Sequence, residues 1–335
     1  MKLRYSVLRL AAIGSLTYLS LLVATVAYLT TPRRVARLIA ALCRPEPGMS
    51  CYDPCCGSGR LPRAVQSAAR RSSNDRIRIF AQEIDPISYV AAAANQKLHG
   101  LEMTLKLGSS LRHPAFVDPN GRLQRFDLAV ASPPWNRSIP EVIYRGDRFE
   151  RFPFGRPSHD GDWAWMQLIL AHLDDNGRMV VMLDNEATSR DEDLTAAQVR
   201  QRFVESDLIE AVILCPWEIS RPRWLARTVG DSHFVLNSDH KPLVHSSSIG
   251  TQAAVLIVVN KAKSRPGEIL FVDSRPLVSD YLNGDLTADA VHNVIIDSLD
   301  DWTTVPGVAE VVSNADVAKS GFKLAPEFHC AGRTL

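Results

Sequence analysis

Short apolar runs alternate with helix-compatible stretches along this 335-residue chain, and that alternation sets the expected architecture. Runs at 49–52, 77–82, 103–107, 128–131, 179–183, 208–214 and 253–259 each predict a strand, and a further run at 268–274 predicts one more. The segments between them, such as 61–71, suit helices. Strands that alternate with helices imply a parallel sheet covered on both faces, hence an α/β fold. Residues 281–335 read as a mainly helical tail. Residues 10–31 carry no charge and follow Lys2, Arg4 and Arg9, a length and flank that would suffice to span a bilayer. Gly14, Ser15, Thr17, Ser20 and Thr25 dilute the apolar character, so residues 1–30 are expected to form an apolar helix packed on protein, with membrane anchoring as the lesser reading.

The densest local signal is Asp53-Pro54-Cys55-Cys56-Gly57-Ser58-Gly59, which lies between the first strand run and the first helix. Gly57 and Gly59 permit positive φ and leave no Cβ between backbone and ligand, and the helix start offers unpaired N–H groups. Asp53 ends the strand, where it can accept from an ammonium or amide. A dinucleotide fingerprint would place a third glycine where Pro62 stands, and no Gly-Lys-Ser/Thr follows to make a phosphate-binding P-loop.

Two later segments extend the pattern. Phe80-Ala81-Gln82-Glu83-Ile84-Asp85-Pro86 places a carboxylate, Glu83, at the end of the next strand, a position suited to both hydroxyls of a ribose. Phe126 to Ala131 reads as a buried strand and ends in Ser132-Pro133-Pro134-Trp135-Asn136. With Thr31-Pro32-Arg33 before the glycine loop, Ala94-Asn95-Gln96-Lys97-Leu98-His99-Gly100 after the second strand and Asp162-Trp163-Ala164-Trp165 opening a later helix, the chain resembles the amino-methylating, N-6 adenine DNA methyltransferases, in particular the modification subunit of type I restriction-modification systems.

That resemblance implies a Rossmann-like class I S-adenosylmethionine-dependent methyltransferase fold: a seven-stranded, mostly parallel sheet with helices on both faces and the last strand antiparallel. It implies a catalytic domain over 31–275 and a tail over 276–335. S-adenosyl-L-methionine would be held by Thr31, Asp53, Pro54, Gly57, Gly59, Glu83, Ile84 and Ser109. Ser132, Pro133, Pro134 and Trp135 would form the catalytic pocket. An exocyclic amine is a poor nucleophile because its lone pair is delocalised into the ring. The Pro133 carbonyl and Ser132 hydroxyl would accept from the NH₂ and draw that lone pair toward the methyl donor, while Trp135 stacks on a flipped base. Adenine N6 is the expected target and cytosine N4 the second; the partners would be DNA and a specificity subunit that supplies target recognition. The rival readings are a cofactor-binding assembly subunit without activity and a methyltransferase for another substrate such as RNA. Ser132, Ser109 and Asp184-Asn185-Glu186 stand where the family carries other residues.

Composition adds limits rather than direction. A net charge of +1 advertises no overall affinity for nucleic acid, so any basic surface must be local. Within 137–160, Arg137, Arg145, Arg148, Arg151 and Arg156 interleave with Tyr144, Phe149, Phe152 and Phe154, which suits a lid facing DNA. Trp217, Arg221, Arg223, Trp224 and Arg227 form a second such cluster. Cys51, Cys55 and Cys56 make no CxxC pair, so reduced thiols in a cytoplasmic protein are expected, with no metal site. C5-methylation of cytosine is disfavoured, because Pro54-Cys55 lies in the cofactor loop and Cys215-Pro216 runs in reverse order. His233, His240 and His245 fall in a polar insertion over 228–250 and read as solvated.

Overall fold

In the computed structural model, which describes residues 31–72, 76–157, 159–216 and 253–331, the strand runs assemble into one mixed sheet. Its strands are β1 (Ser50–Asp53), β2 (Arg78–Glu83), β3 (Met103–Leu107), β4 (Phe126–Ala131), β5 (Leu173–Asp184), β6 (Ile209–Cys215), β7 (Ala254–Asn260), β8 (Glu268–Asp273) and β9 (Ala309–Ser313). Their order is β3-β2-β1-β4-β5-β7-β6-β8-β9. Strands β1 to β5 run parallel, and β7 inserts antiparallel between β5 and β6.

Both faces of this sheet are buried, which is why its strands read as unbroken apolar runs rather than alternating ones. Successive residues go to opposite cores: Cys51, Leu128, Val130, Leu256 and Val258 face one, whereas Tyr52, Ala129, Ala131, Ile257 and Val259 face the other. The helices α1 (Arg33–Leu42), α2 (Arg60–Ser72) and α3 (Pro86–His99) come first in the chain. Helix α1 places Val35, Leu38 and Ile39 in the first core, and α2 adds Leu61 and Val65. The short α4 (Glu141–Arg145) is followed by α5 (Asp162–Ala171) and α6 (Leu194–Glu205), and these last two place Trp163, Ile169 and Phe203 in the second core. Helix α5 shows no apolar stripe because it is buried all round, from Asp162 to Ile169.

The sheet has nine strands among the described residues where the family resemblance implied seven; the run at 268–274 supplies β8, and β9 is the unforeseen one. Strand β8 pairs parallel with β6, and β9 pairs antiparallel with β8, so the segment after 276 both adds helices and closes the sheet's edge. The five residues of β9 alternate too weakly to announce a strand; pairing with β8 makes them one. The tail also packs α7 (Val278–Asn283), α8 (Ala288–Asp301), α9 (Asn314–Lys319) and α10 (Pro326–Cys330) on the sheet, and Tyr281, Val291 and Ile295 join the first core. Among the described residues no helix is long and apolar enough to cross a membrane. The expected N-terminal helix over 1–30 lies outside the described residues, as does the insertion over 228–250.

Candidate active site

The carboxyl ends of β1, β2 and β4 meet where the chain turns from strand to helix, the place where open α/β sheets hold ligands. Asp53 ends β1 and is 1% exposed. Its Oδ1 accepts from the Cys55 N–H at 3.1 Å, while Oδ2 is buried with no hydrogen-bond partner among the described residues. Burial pushes this carboxyl up to about 8, and the neighbouring charge of Glu83 adds to the rise. Gly57 and Gly59 hold φ of 54° and 81°, and a Cβ at Gly57 would meet open space. A Cβ at Gly59 would instead touch Ala92 at 3.6 Å, so the loop is bare at Gly57 alone.

Glu83 ends β2, and both of its oxygens are already used by the main chain. Oε2 accepts from Gly57 N–H at 2.7 Å and Oε1 from Asp85 N–H at 2.8 Å. Each oxygen retains a second acceptor direction. Beside it Ile84 is 66% exposed, an apolar surface next to the carboxylate. Gly108 N–H donates to the Glu83 carbonyl at 2.8 Å, which brings Ser109 to the same strand ends. The Ser109 hydroxyl accepts from Arg112 N–H at 3.3 Å. The Thr31 carbonyl accepts from Arg60 at 2.6 Å, and Pro54 is buried in the turn.

Strand β4 pairs with β1 in register Cys51 to Leu128, so the segment after it emerges beside the glycine loop. The Ser132 main chain lies beside the Cys55 thiol, so the two turns are neighbours. Pro133 is buried and Pro134 exposed. The half-buried Trp135 is pinned by its Nε1–H, which donates to the Met182 carbonyl on β5 at 3.1 Å. Asn136 follows at φ 52°, a left-handed conformation that asparagine tolerates. Its Nδ2 donates to Asp184 at 2.6 Å, its Oδ1 accepts from Arg190 at 2.8 Å, and its N–H donates to Asp162 at 3.3 Å. Asp162 is fully buried, and burial, with Asp160 and Asp184 nearby, pushes its carboxyl up to about 8. Arg190 answers this negative cluster by pairing with Asp160 at 3.6 Å and with Glu186.

Residues 27–229, more than half of the chain, match the sequence profile of the N-6 DNA methylase family. This chain belongs to the N-6 DNA methylase family. The curated relatives include the HindI methylase subunit of a type I restriction enzyme from Haemophilus influenzae, 24% identical over 83% of this chain and 56% of that protein. The MjaVIII methylase subunit from Methanocaldococcus jannaschii is 32% identical over 56% of this chain and 33% of that protein. The chain therefore spans about half or less of the curated relatives it matches. Among solved structures, a type I restriction-modification methyltransferase subunit from Streptococcus thermophilus superposes with a TM-score of 0.68 at 19% identity, over 90% of this chain and 59% of that one. A putative class I S-adenosylmethionine-dependent methyltransferase from Listeria monocytogenes superposes at 0.55 with 15% identity, over 82% of this chain and 72% of that one. The class I methyltransferase fold read from the sequence is the fold of this family member, with two strands added.

Among the described residues of this N-6 DNA methylase relative, no group of three or more His, Cys, Asp or Glu side chains is arranged to hold a metal. The loop over 137–160 departs from the expected DNA-facing lid. Arg151 is buried, paired with Asp147 at 2.7 Å and donating to the carbonyls of Ser110 and Leu111, so it braces the loop after β3. Tyr144 and Phe152 stack edge-on in the second core, and Phe154 packs on Phe203. Burial of these rings leaves Arg137, Arg145, Arg148 and Arg156 as the exposed part of the cluster. The second cluster, Trp217 to Arg227, lies outside the described residues. Sequence reasoning missed the Asn136–Asp184–Arg190 mount. The only available signal was the sequence departure at Asp184-Asn185-Glu186, which the structure turns into the support of Asn136.

Proposed function

We propose that this chain transfers the methyl group of S-adenosyl-L-methionine to an exocyclic amino group of DNA, adenine N6 before cytosine N4. The observation that carries the reading is the parallel pairing of β1 with β4, Cys51 against Leu128 and Tyr52 against Ala129, so that the glycine loop and the Ser132–Trp135 segment leave the same end of the sheet on neighbouring strands. The residues fit the cofactor: the orphaned Oδ2 of Asp53 can take a cationic donor, Glu83 and the exposed Ile84 suit a nucleoside, and Gly57 leaves room for close approach. Thr31, Pro54, Gly59 and Ser109 complete that wall. When bound, S-adenosylmethionine supplies a methyl group on a good leaving group.

The chain's own part is to orient. Pro133, fixed in φ and buried, directs its carbonyl, and the Ser132 hydroxyl adds a second acceptor for the target NH₂. Together they hold the amine lone pair in line with the incoming carbon, an effect of proximity and orientation. Trp135, with its indole nitrogen tied to β5, offers a ring held in place for a flipped base. Family membership supports DNA as acceptor, and the type I methylase subunits among the relatives support action beside a specificity subunit in a restriction-modification system. Incubation with labelled S-adenosylmethionine and either DNA or RNA tests the reading. Label on DNA is the expected result, and label on RNA alone, or on neither with cofactor bound, rejects it.

A further inference from the structure

Four arginines converge on a cavity of about 390 Å³ between α1 and α2. Arg33 and Arg37 stand one turn apart on α1, Arg60 and Arg63 stand on the first turn of α2, and Ser58 and Asn95 complete the polar wall. Among the described residues, no carboxylate lines this cavity. Among the described residues, Arg33, Arg37 and Arg63 take part in none of the ion pairs, although the chain as a whole holds 37 acidic residues against 38 basic ones. Four like charges on one concave surface of a nearly neutral protein repel each other and favour an anion among them. Arg60, half-buried, is close enough to Arg33 and Arg63 to feel both charges.

The donor chemistry narrows the anion. Guanidinium forks match the oxygens of phosphate in pairs, and the amino end of α2 adds the positive pole of a 13-residue helix. The volume falls in the range of small-ligand sites. Asp53 and Glu83 do not line the cavity, which borders the proposed cofactor wall at Gly59 and, through the Arg60–Thr31 bond, at Thr31.

We propose that this cavity binds a phosphate group, supplied either by a nucleic-acid backbone or by a free phosphate compound. The inference does not rest on methyl transfer. The test uses the full chain, wild type and Arg37→Glu/Arg63→Glu, with two probes: inorganic pyrophosphate followed by calorimetry, and a short DNA duplex titrated at several salt concentrations. The wild type is expected to bind at least one probe, and the folded double variant to bind that probe at least tenfold more weakly. A salt slope for the duplex reduced by about two identifies backbone phosphates as the source, whereas a loss confined to pyrophosphate identifies a free phosphate. If the glutamate pair does not fold, Arg37→Gln/Arg63→Gln takes its place. Neither probe binding to wild type, or equal binding by a folded variant, overturns the proposal. So does a matching loss of S-adenosylmethionine affinity in the variant, since the cavity would then be part of the cofactor pocket. Failure of the methyl-transfer reading shows separately, as absent transfer by the wild type.

Discussion

The Gly57 N–H donates to Glu83 Oε2 at 2.7 Å, so the bend of the glycine loop is tied to the end of the neighbouring strand. One carboxylate thereby braces the loop and, in the proposed function, would also accept from a ribose.

Glu83→Ala removes both roles. A charged acceptor of this kind is worth about 1.5–3 kcal/mol, so S-adenosylmethionine affinity should fall roughly tenfold to a hundredfold. Calorimetry on the folded variant measures it. Glu83→Gln keeps an acceptor for one of the two main-chain N–H groups but turns an NH₂ toward the other, and its affinity should lie between wild type and alanine. An alanine variant that binds as wild type does would remove Glu83 from the site.

Asp53 gives a pH signature. Its carboxyl titrates near 8 in the folded chain because burial disfavours the charge, against an ordinary value near 4 in the unfolded chain. The folded state therefore holds the proton more tightly. Its contribution to stability is complete below about pH 4, declines as pH rises toward about 8 and then levels off. A cationic ligand beside Asp53 favours the carboxylate, so S-adenosylmethionine binding should release a proton below pH 8 and tighten by up to about tenfold per pH unit. Asp53→Asn should flatten that dependence. Calorimetry in buffers of different ionisation enthalpy reads proton release directly, and a pH-independent wild type would contradict the assignment. Asp162, also raised to about 8, adds a decline of stability of the same sign that Asp53→Asn leaves in place.

Substitutions in the Ser132–Trp135 segment test the base pocket. Trp135→Ala should cost a stacking contribution of about 1–3 kcal/mol, roughly tenfold to a hundredfold in kcat/KM for DNA. Ser132→Asn offers a longer acceptor to the target amine and should preserve or raise turnover on adenine, whereas an enzyme acting on cytosine N4 should lose turnover. Unchanged turnover in Trp135→Ala places the pocket elsewhere.

A stability prediction concerns the sheet itself. Arg178 on β5 and Glu210 on β6 form a buried ion pair across β7, and Arg178 Nε also donates to the Leu42 carbonyl at 2.7 Å, which ties α1 to the sheet. Arg178→Met alone leaves the buried Glu210 charge with only the Asn260 amide as donor and should cost about 3–5 kcal/mol, read from urea unfolding. Adding Glu210→Leu should restore most of that loss. A double variant no better than the single one would mean that the Leu42 bond, not the ion pair, carries the effect.

What the sequence determined by itself was the succession of strands and the identity of the loop residues at their ends. Strands buried on both faces are unbroken apolar runs, and Asp53, Gly57, Gly59 and Glu83 fall where such runs end and turn toward the next helix. These signals are local, each contained within about ten residues of chain. The tertiary structure alone decided how the loops are held. Asn136 is fixed by Asp184 and Arg190, 48 and 54 residues away, and Arg151 serves Ser110 rather than solvent, 41 residues back. Strand β9 exists because β8 offers it an edge. An arginine among aromatics looks the same in a sequence whether it faces DNA or a buried carboxylate. Only the folded packing sets its desolvation and its partner, and so its role.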